Sequence, residues 1–70
     1  MMKKMNIFLN GDELNFAGNT LAELLEDKGF TKSQGIAVAV NERVISRDKW
    51  VSCNLKEGDS LLIITPAQGG

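Results

Sequence analysis

Seventy residues, with eight Lys or Arg against nine Asp or Glu, make one small domain of formal net charge −1. With no His, one Cys and no clustered cations, the chain lacks the groups for a zinc site, His-based catalysis, a disulfide framework or a phosphate-tracking stripe, so nucleic acid is not an expected partner. At 43% hydrophobic and 24% charged residues the composition is that of an ordinary globular protein, and no apolar run approaches the ~20 residues of a membrane helix.

The start, MMKKMNIFLNG, carries Lys3 and Lys4 but no long apolar segment and no small-residue cleavage site. It reads as the solvated start of a cytoplasmic protein. From Met5 the side chains alternate: Met5, Ile7 and Leu9 fall on one side of a strand, Asn6, Phe8 and Asn10 on the other. Asn10-Gly11 is a hairpin turn signal, because both residues tolerate positive φ, and Leu14 and Phe16 continue into a second strand.

GNTLAELLEDKGF reads as a helix of about nine residues with both ends marked. Thr20 and Glu23 have the spacing of a capping box, and Leu21, Leu24 and Leu25 form one apolar stripe. Gly29 suits the left-handed position that ends a helix, with Phe30 folding back on the last turn. So short a helix has to lean on a sheet.

In GIAVAVNERVIS, Ile36, Val38 and Val40 share one face, Ala37 and Ala39 share the other, and Asn41-Glu42 turns the chain into Val44-Ile45. SRDKW reads as an irregular or 3₁₀ segment that offers Trp50 to the core. Glu57-Gly58-Asp59 signals a turn, and Leu61 to Ile64 is an unbroken apolar run suited to a strand with neighbours on both edges. The order is β-β-α-β-β-β. The most apolar strand, the last, is expected at the centre beside the first, which gives an α+β domain with a mixed sheet of four to five strands packed on one helix.

Alternation assigns the sheet's two faces. Leu61 and Ile63 are expected to meet the helix. Phe8, Ala37, Ala39, Leu62 and Ile64 then share the helix-free face, an apolar patch of the kind that marks a partner site on a small monomer.

The last residues read differently. Pro66 has no N–H to donate, so the ladder should end there. Gly69 and Gly70 add no side chain to pack and are costly to order. Residues 1–65 are therefore expected to form the domain, and 66–70 a flexible arm. That arm would carry the Gly70 carboxylate into another protein's active site, with Gly69, Gln68, Ala67 and Pro66 threading the channel over a reach of at most roughly 17 Å. The remaining candidates have plainer readings. Cys53 has no His beside it to activate its thiol and reads as a half-buried small residue. Arg47 and Asp48 either contact a partner or hold the loop before Trp50. Asp59 sets up the last strand, and Glu23, Glu26 and Asp27 form the helix's solvated face.

VAVNERVISRDKW, EGDSLLII and the terminal Gly-Gly, in that order, resemble the ThiS family of ubiquitin-like β-grasp sulfur carriers. The resemblance runs through Asn41, Arg47, Trp50, Gly58, Asp59 and Gly69-Gly70. It implies a β-grasp fold and a function in thiamine thiazole synthesis. An E1-like adenylyltransferase of the ThiF type would use ATP to adenylate Gly70, and a sulfur donor linked to a cysteine desulfurase would convert it to a thiocarboxylate. A thiazole synthase of the ThiG type would then take the sulfur. The carrier would bind no cofactor and would be a co-substrate rather than an enzyme. Related alternatives are the sulfur carrier subunit of molybdopterin synthase and a ubiquitin-like modifier that joins Gly70 to lysines. A binding module with an incidental Gly-Gly would keep its function when Gly69-Gly70 is removed.

Overall fold

The computed structural model describes residues 4–30 and 35–65. Strand β1 (Met5–Leu9) turns at Asn10-Gly11 into β2 (Asp12–Phe16). Both turn residues have positive φ, 51° and 88°, which gives the connection the twist that antiparallel neighbours require. The pairing is in register from Met5↔Phe16 to Leu9↔Asp12.

Helix α1 (Leu21–Asp27) has seven residues, fewer than the nine expected. Thr20 stands outside it as the cap, and Lys28, at φ −93° and ψ 1°, has already left helical geometry. The capping box is complete: Glu23 N–H donates to Thr20 Oγ1 at 3.2 Å, and Glu23 Oε1 accepts from Thr20 N–H at 3.0 Å and from Asn19 N–H at 2.7 Å. Gly29 sits at φ +83°, and the Phe30 N–H reaches back to Leu25 O at 2.7 Å.

Strand β3 (Ala37–Val40), the two-residue β4 (Arg43–Val44), a 3₁₀ helix (Arg47–Ser52) and β5 (Ser60–Ile64) complete the order. The five strands form one mixed sheet, β2-β1-β5-β3-β4. β5 is central, parallel to β1 and antiparallel to β3. This is the β-grasp arrangement: the last strand enters between the first hairpin and the later one, with the helix across one face.

The core lies on that face. Ile7, Leu21, Leu24, Leu25, Val38 and Leu61 are fully buried, and Phe16, Val40, Trp50, Leu55 and Ile63 nearly so. The three helix leucines follow the apolar stripe. Leu55, which no periodicity marks, is brought in by the bridge between Thr20 and Asn54, where Leu21 N–H donates to Cys53 O at 2.8 Å and Leu55 N–H to Asn19 O at 2.8 Å. Gly18 is needed for another reason: a methyl group there would run into the Phe16 ring.

Candidate functional site

The sheet face opposite the helix is built from alternate residues of four strands. Along β5 the burial alternates, with Leu61 and Ile63 inside and Leu62 and Ile64 49% and 55% exposed. In β1, Ile7 points into the core and Phe8 is 38% exposed. In β3, Val38 and Val40 are buried while Ala37 is exposed and Ala39 half-buried. The register makes these residues neighbours: Ala37 pairs with Ile64 and Ala39 with Leu62. Phe8 pairs with Ser60, one step from Leu62 on the same face. The five residues expected on the helix-free face therefore do share it.

Val44 was not foreseen there. The Asn41-Glu42 turn, both residues at positive φ, pairs Val40 with Arg43 and Ala39 with Val44. Val44, 77% exposed, thus extends the patch beyond Ala39, while Glu13, the partner of Phe8 in β2, bounds it with charge on the other side. A two-residue turn fixes the register of its flanking strands, so the signal was present in the spacing.

Two asparagine turns hold the central strand. At its start, Asn41 Oδ1 accepts from Ser60 N–H at 3.0 Å and Asn41 Nδ2 donates to Asp59 Oδ1 at 2.9 Å. Asp59 Oδ2 in turn accepts from Lys56 N–H at 2.8 Å, closing the turn around Gly58 at φ +85°. Further along, Asn10 Oδ1 accepts from Ile63 N–H at 2.8 Å. The Asn-to-Gly-Asp order in the sequence is thus a cross-link between two turns.

Trp50 fills the core edge with its Nε1–H donating to Ile45 O at 3.0 Å, and the Arg47 guanidinium lies over its ring, 5.1 Å from the centroid. Cys53 is half-buried. Burial and, second to it, the charge of Asp59 push its thiol pKa up, which disfavours the thiolate a sulfur relay needs. Among the described residues, shallow hollows lie against Lys4, Phe16 and Asp27 and against Arg43, Cys53 and Asp59. Neither lies on the apolar face. Among the described residues no three His, Cys, Asp or Glu side chains gather as for a metal ion, and no helix is long and apolar enough to cross a membrane.

β5 ends at Ile64, at the margin of the patch. The expected arm residues Pro66, Ala67, Gln68, Gly69 and Gly70 lie outside the described residues.

The ThiS family model matches residues 7–70, nearly the whole chain and the Gly-Gly end with it. The chain belongs to the ThiS family. It is 31% identical to the sulfur carrier protein ThiS of Escherichia coli (strain K12) over 67 residues, covering 94% of this chain and all of that protein. It is 33% identical to the sulfur carrier protein ThiS of Thermus thermophilus over 64 residues, 91% of this chain and 98% of the relative. Among solved structures, the crystal structure of the thiamine biosynthesis protein ThiS from Geobacter metallireducens superposes with a TM-score of 0.79 at 25% identity, covering 94% of this chain and all of that one. The solution structure of a thiamine biosynthesis protein from the same organism superposes at 0.77, also at 25% identity, over 94% of this chain and 88% of that one.

Proposed function

We propose that this ThiS-family sulfur carrier delivers sulfur for thiamine thiazole synthesis as a thiocarboxylate on Gly70. The observation that carries the reading is the family match through residue 70, joined to a fold whose central strand, ending at Ile64, is the last element before the Gly-Gly end of the sequence. A carboxylate is a poor electrophile. In the proposed cycle, an E1-like adenylyltransferase lets the Gly70 carboxylate attack the α-phosphorus of ATP, and pyrophosphate leaves. A sulfide-level sulfur nucleophile, released from a donor linked to a cysteine desulfurase by a thiol reductant, then attacks the activated carbonyl, and AMP departs to leave the thiocarboxylate. A thiazole synthase draws off the sulfur, and the carboxylate returns. The chemistry needs oxyanion donors and exclusion of water, both supplied by the partner's site. The carrier supplies a terminus that can enter it. Gly69 and Gly70, without Cβ atoms, suit a narrow channel and any φ the partner imposes.

Docking is assigned to the helix-free face: Phe8, Ala37, Ala39, Leu62 and Ile64, extended by Val44. A contiguous apolar patch that includes the last strand before the C-terminal residues would let one partner hold the globule while receiving the terminus. ATP is consumed in the partner, and the carrier acts as a co-substrate, not as the catalyst.

Gly70→Ala, or one residue added after Gly70, is expected to abolish thiocarboxylate formation and leave the melting temperature unchanged. Intact-mass spectrometry after incubation with the adenylyltransferase, ATP and a sulfur donor reads the gain of one sulfur in place of one oxygen. An extended chain that still gains sulfur overturns the reading, and lysine-linked conjugates in its place would make the protein a modifier.

A further inference from the structure

β1 stops being a strand at Leu9, yet β5 runs on to Ile64. The parallel ladder proceeds from Phe8 N–H to Asp59 O at 2.9 Å and then from Asn10 N–H to Leu61 O at 2.9 Å. One more step of the same ladder would bring the Ile63 N–H to the main-chain carbonyl of residue 10. The hairpin takes the backbone away at this point, because Asn10 has turned to φ 51°. Its side chain stands in for the lost partner. Oδ1 accepts from Ile63 N–H at 2.8 Å, and Nδ2 reaches Ile63 O at 3.4 Å. An exposed turn asparagine, whose usual use is to tolerate positive φ, is here a two-point clamp on the last stretch of the central strand.

The place of the clamp matters more than its strength. Both bonds of the Asn10 amide fall on the Ile63 backbone. Ile63 precedes Thr65, the last described residue before the Gly-Gly segment, by two positions. Asn41 makes the comparable clamp at Ser60, at the far end of the strand from that segment. Resting on the sulfur-carrier reading above, we propose that Asn10 is a positioning residue for the carrier's terminus: its amide fixes Ile63, and with it the point and direction in which the chain leaves the sheet toward the partner's active site. Loss of the clamp frees the base of the arm while the docking face remains, so presentation of the carboxylate suffers and binding of the globule does not.

Asn10→Gly tests this, since a Gly-Gly turn keeps both positive φ values and removes only the amide. Three readouts are taken on the full chain: adenylation by the adenylyltransferase of the same organism, followed as ATP–pyrophosphate exchange; melting temperature; and hydrogen exchange at the Ile63 amide. For Asn10→Gly, Ile63 exchange is expected to accelerate by roughly tenfold or more, kcat to fall roughly ten- to hundredfold, and KM for the carrier to stay within about twofold. Asn10→Asp, which keeps the turn and one acceptor for the Ile63 N–H, is expected to recover the greater part of kcat. Asn41→Gly, which loosens the same strand at its start, is expected to lower the melting temperature and leave kcat near wild type. Unchanged Ile63 exchange, an unchanged kcat, kcat and KM failing together, or an Asn41→Gly protein as impaired as Asn10→Gly would each overturn the inference. A wild-type chain that supports no exchange overturns the sulfur-carrier reading and takes this inference with it. An active wild type beside an equally active Asn10→Gly protein overturns the clamp alone.

Discussion

Trp50 is buried in a run whose neighbours, from Ser46 to Lys49 and on to Ser52, are exposed. No strand or helix periodicity puts it inside. A short 3₁₀ helix does so, with the indole N–H satisfied by Ile45 O and the ring capped by Arg47. Truncating it should be severe, because a buried aromatic cut to Ala costs about 3–5 kcal/mol, while a chain of this length holds in total only about 4–10 kcal/mol of stability at ~0.05–0.15 kcal/mol per residue. Trp50→Ala is therefore expected to remove a large share of the folding stability, up to all of it, at room temperature, measured by chemical denaturation. The same scale shows why a turn could be read from the sequence but the role of Asn10 could not. Asn-Gly announced a turn; that the asparagine amide also reaches Ile63, fifty-three residues on, is a fact about two strands brought side by side.

At the scale of the element, α1 is too short to persist alone and depends on its capping box as well as on burial of Leu21, Leu24 and Leu25. The Glu23 carboxylate accepts first from Asn19 N–H and then from Thr20 N–H, and these bonds hold its pKa below the ordinary carboxylate range. A depressed pKa means that the folded state favours the charged form. The stabilisation is fully present above the unfolded carboxylate's pKa and disappears as pH falls through the lower, folded value. Wild type should accordingly be more stable than Glu23→Gln at neutral pH, with the difference closing in strong acid. Denaturant midpoints of the two proteins across pH measure it, and comparing them cancels the titration of every other carboxylate. The cap was legible because its two residues are three apart; the helix length was overestimated because Lys28 continues the polar pattern while its backbone has already turned.

At the scale of the molecule, one sheet divides the work. Its helix-covered face holds the core, and its open face presents Phe8, Leu62, Ile64, Ala37, Ala39 and Val44. Leu62→Asp separates the two roles. Leu62 is half exposed, so the substitution should cost about 1 kcal/mol or less of folding stability. If the proposed docking on this face holds, a charge placed mid-patch should weaken binding to the proposed adenylyltransferase partner by about tenfold or more, the scale on which central interface residues act. Calorimetric titration alongside a thermal melt reads both. Full affinity in a folded Leu62→Asp protein would move the docking site elsewhere.

Local pattern sufficed for the elements and their sidedness: the hairpin at Asn10-Gly11, the capped helix, the alternation that sets Leu61 and Ile63 against Leu62 and Ile64, and the apolar last strand that belongs at the centre. Those are local properties, written in propensity, turn chemistry and period. Assembly of the fold settled which distant residues meet. It joined Asn41 to Asp59 and Asn10 to Ile63, and drew Leu55 into the core through the bridge at Thr20 and Asn54. Such contacts close loops of many residues, and no short-range pattern encodes a distance that exists only after the sheet has formed.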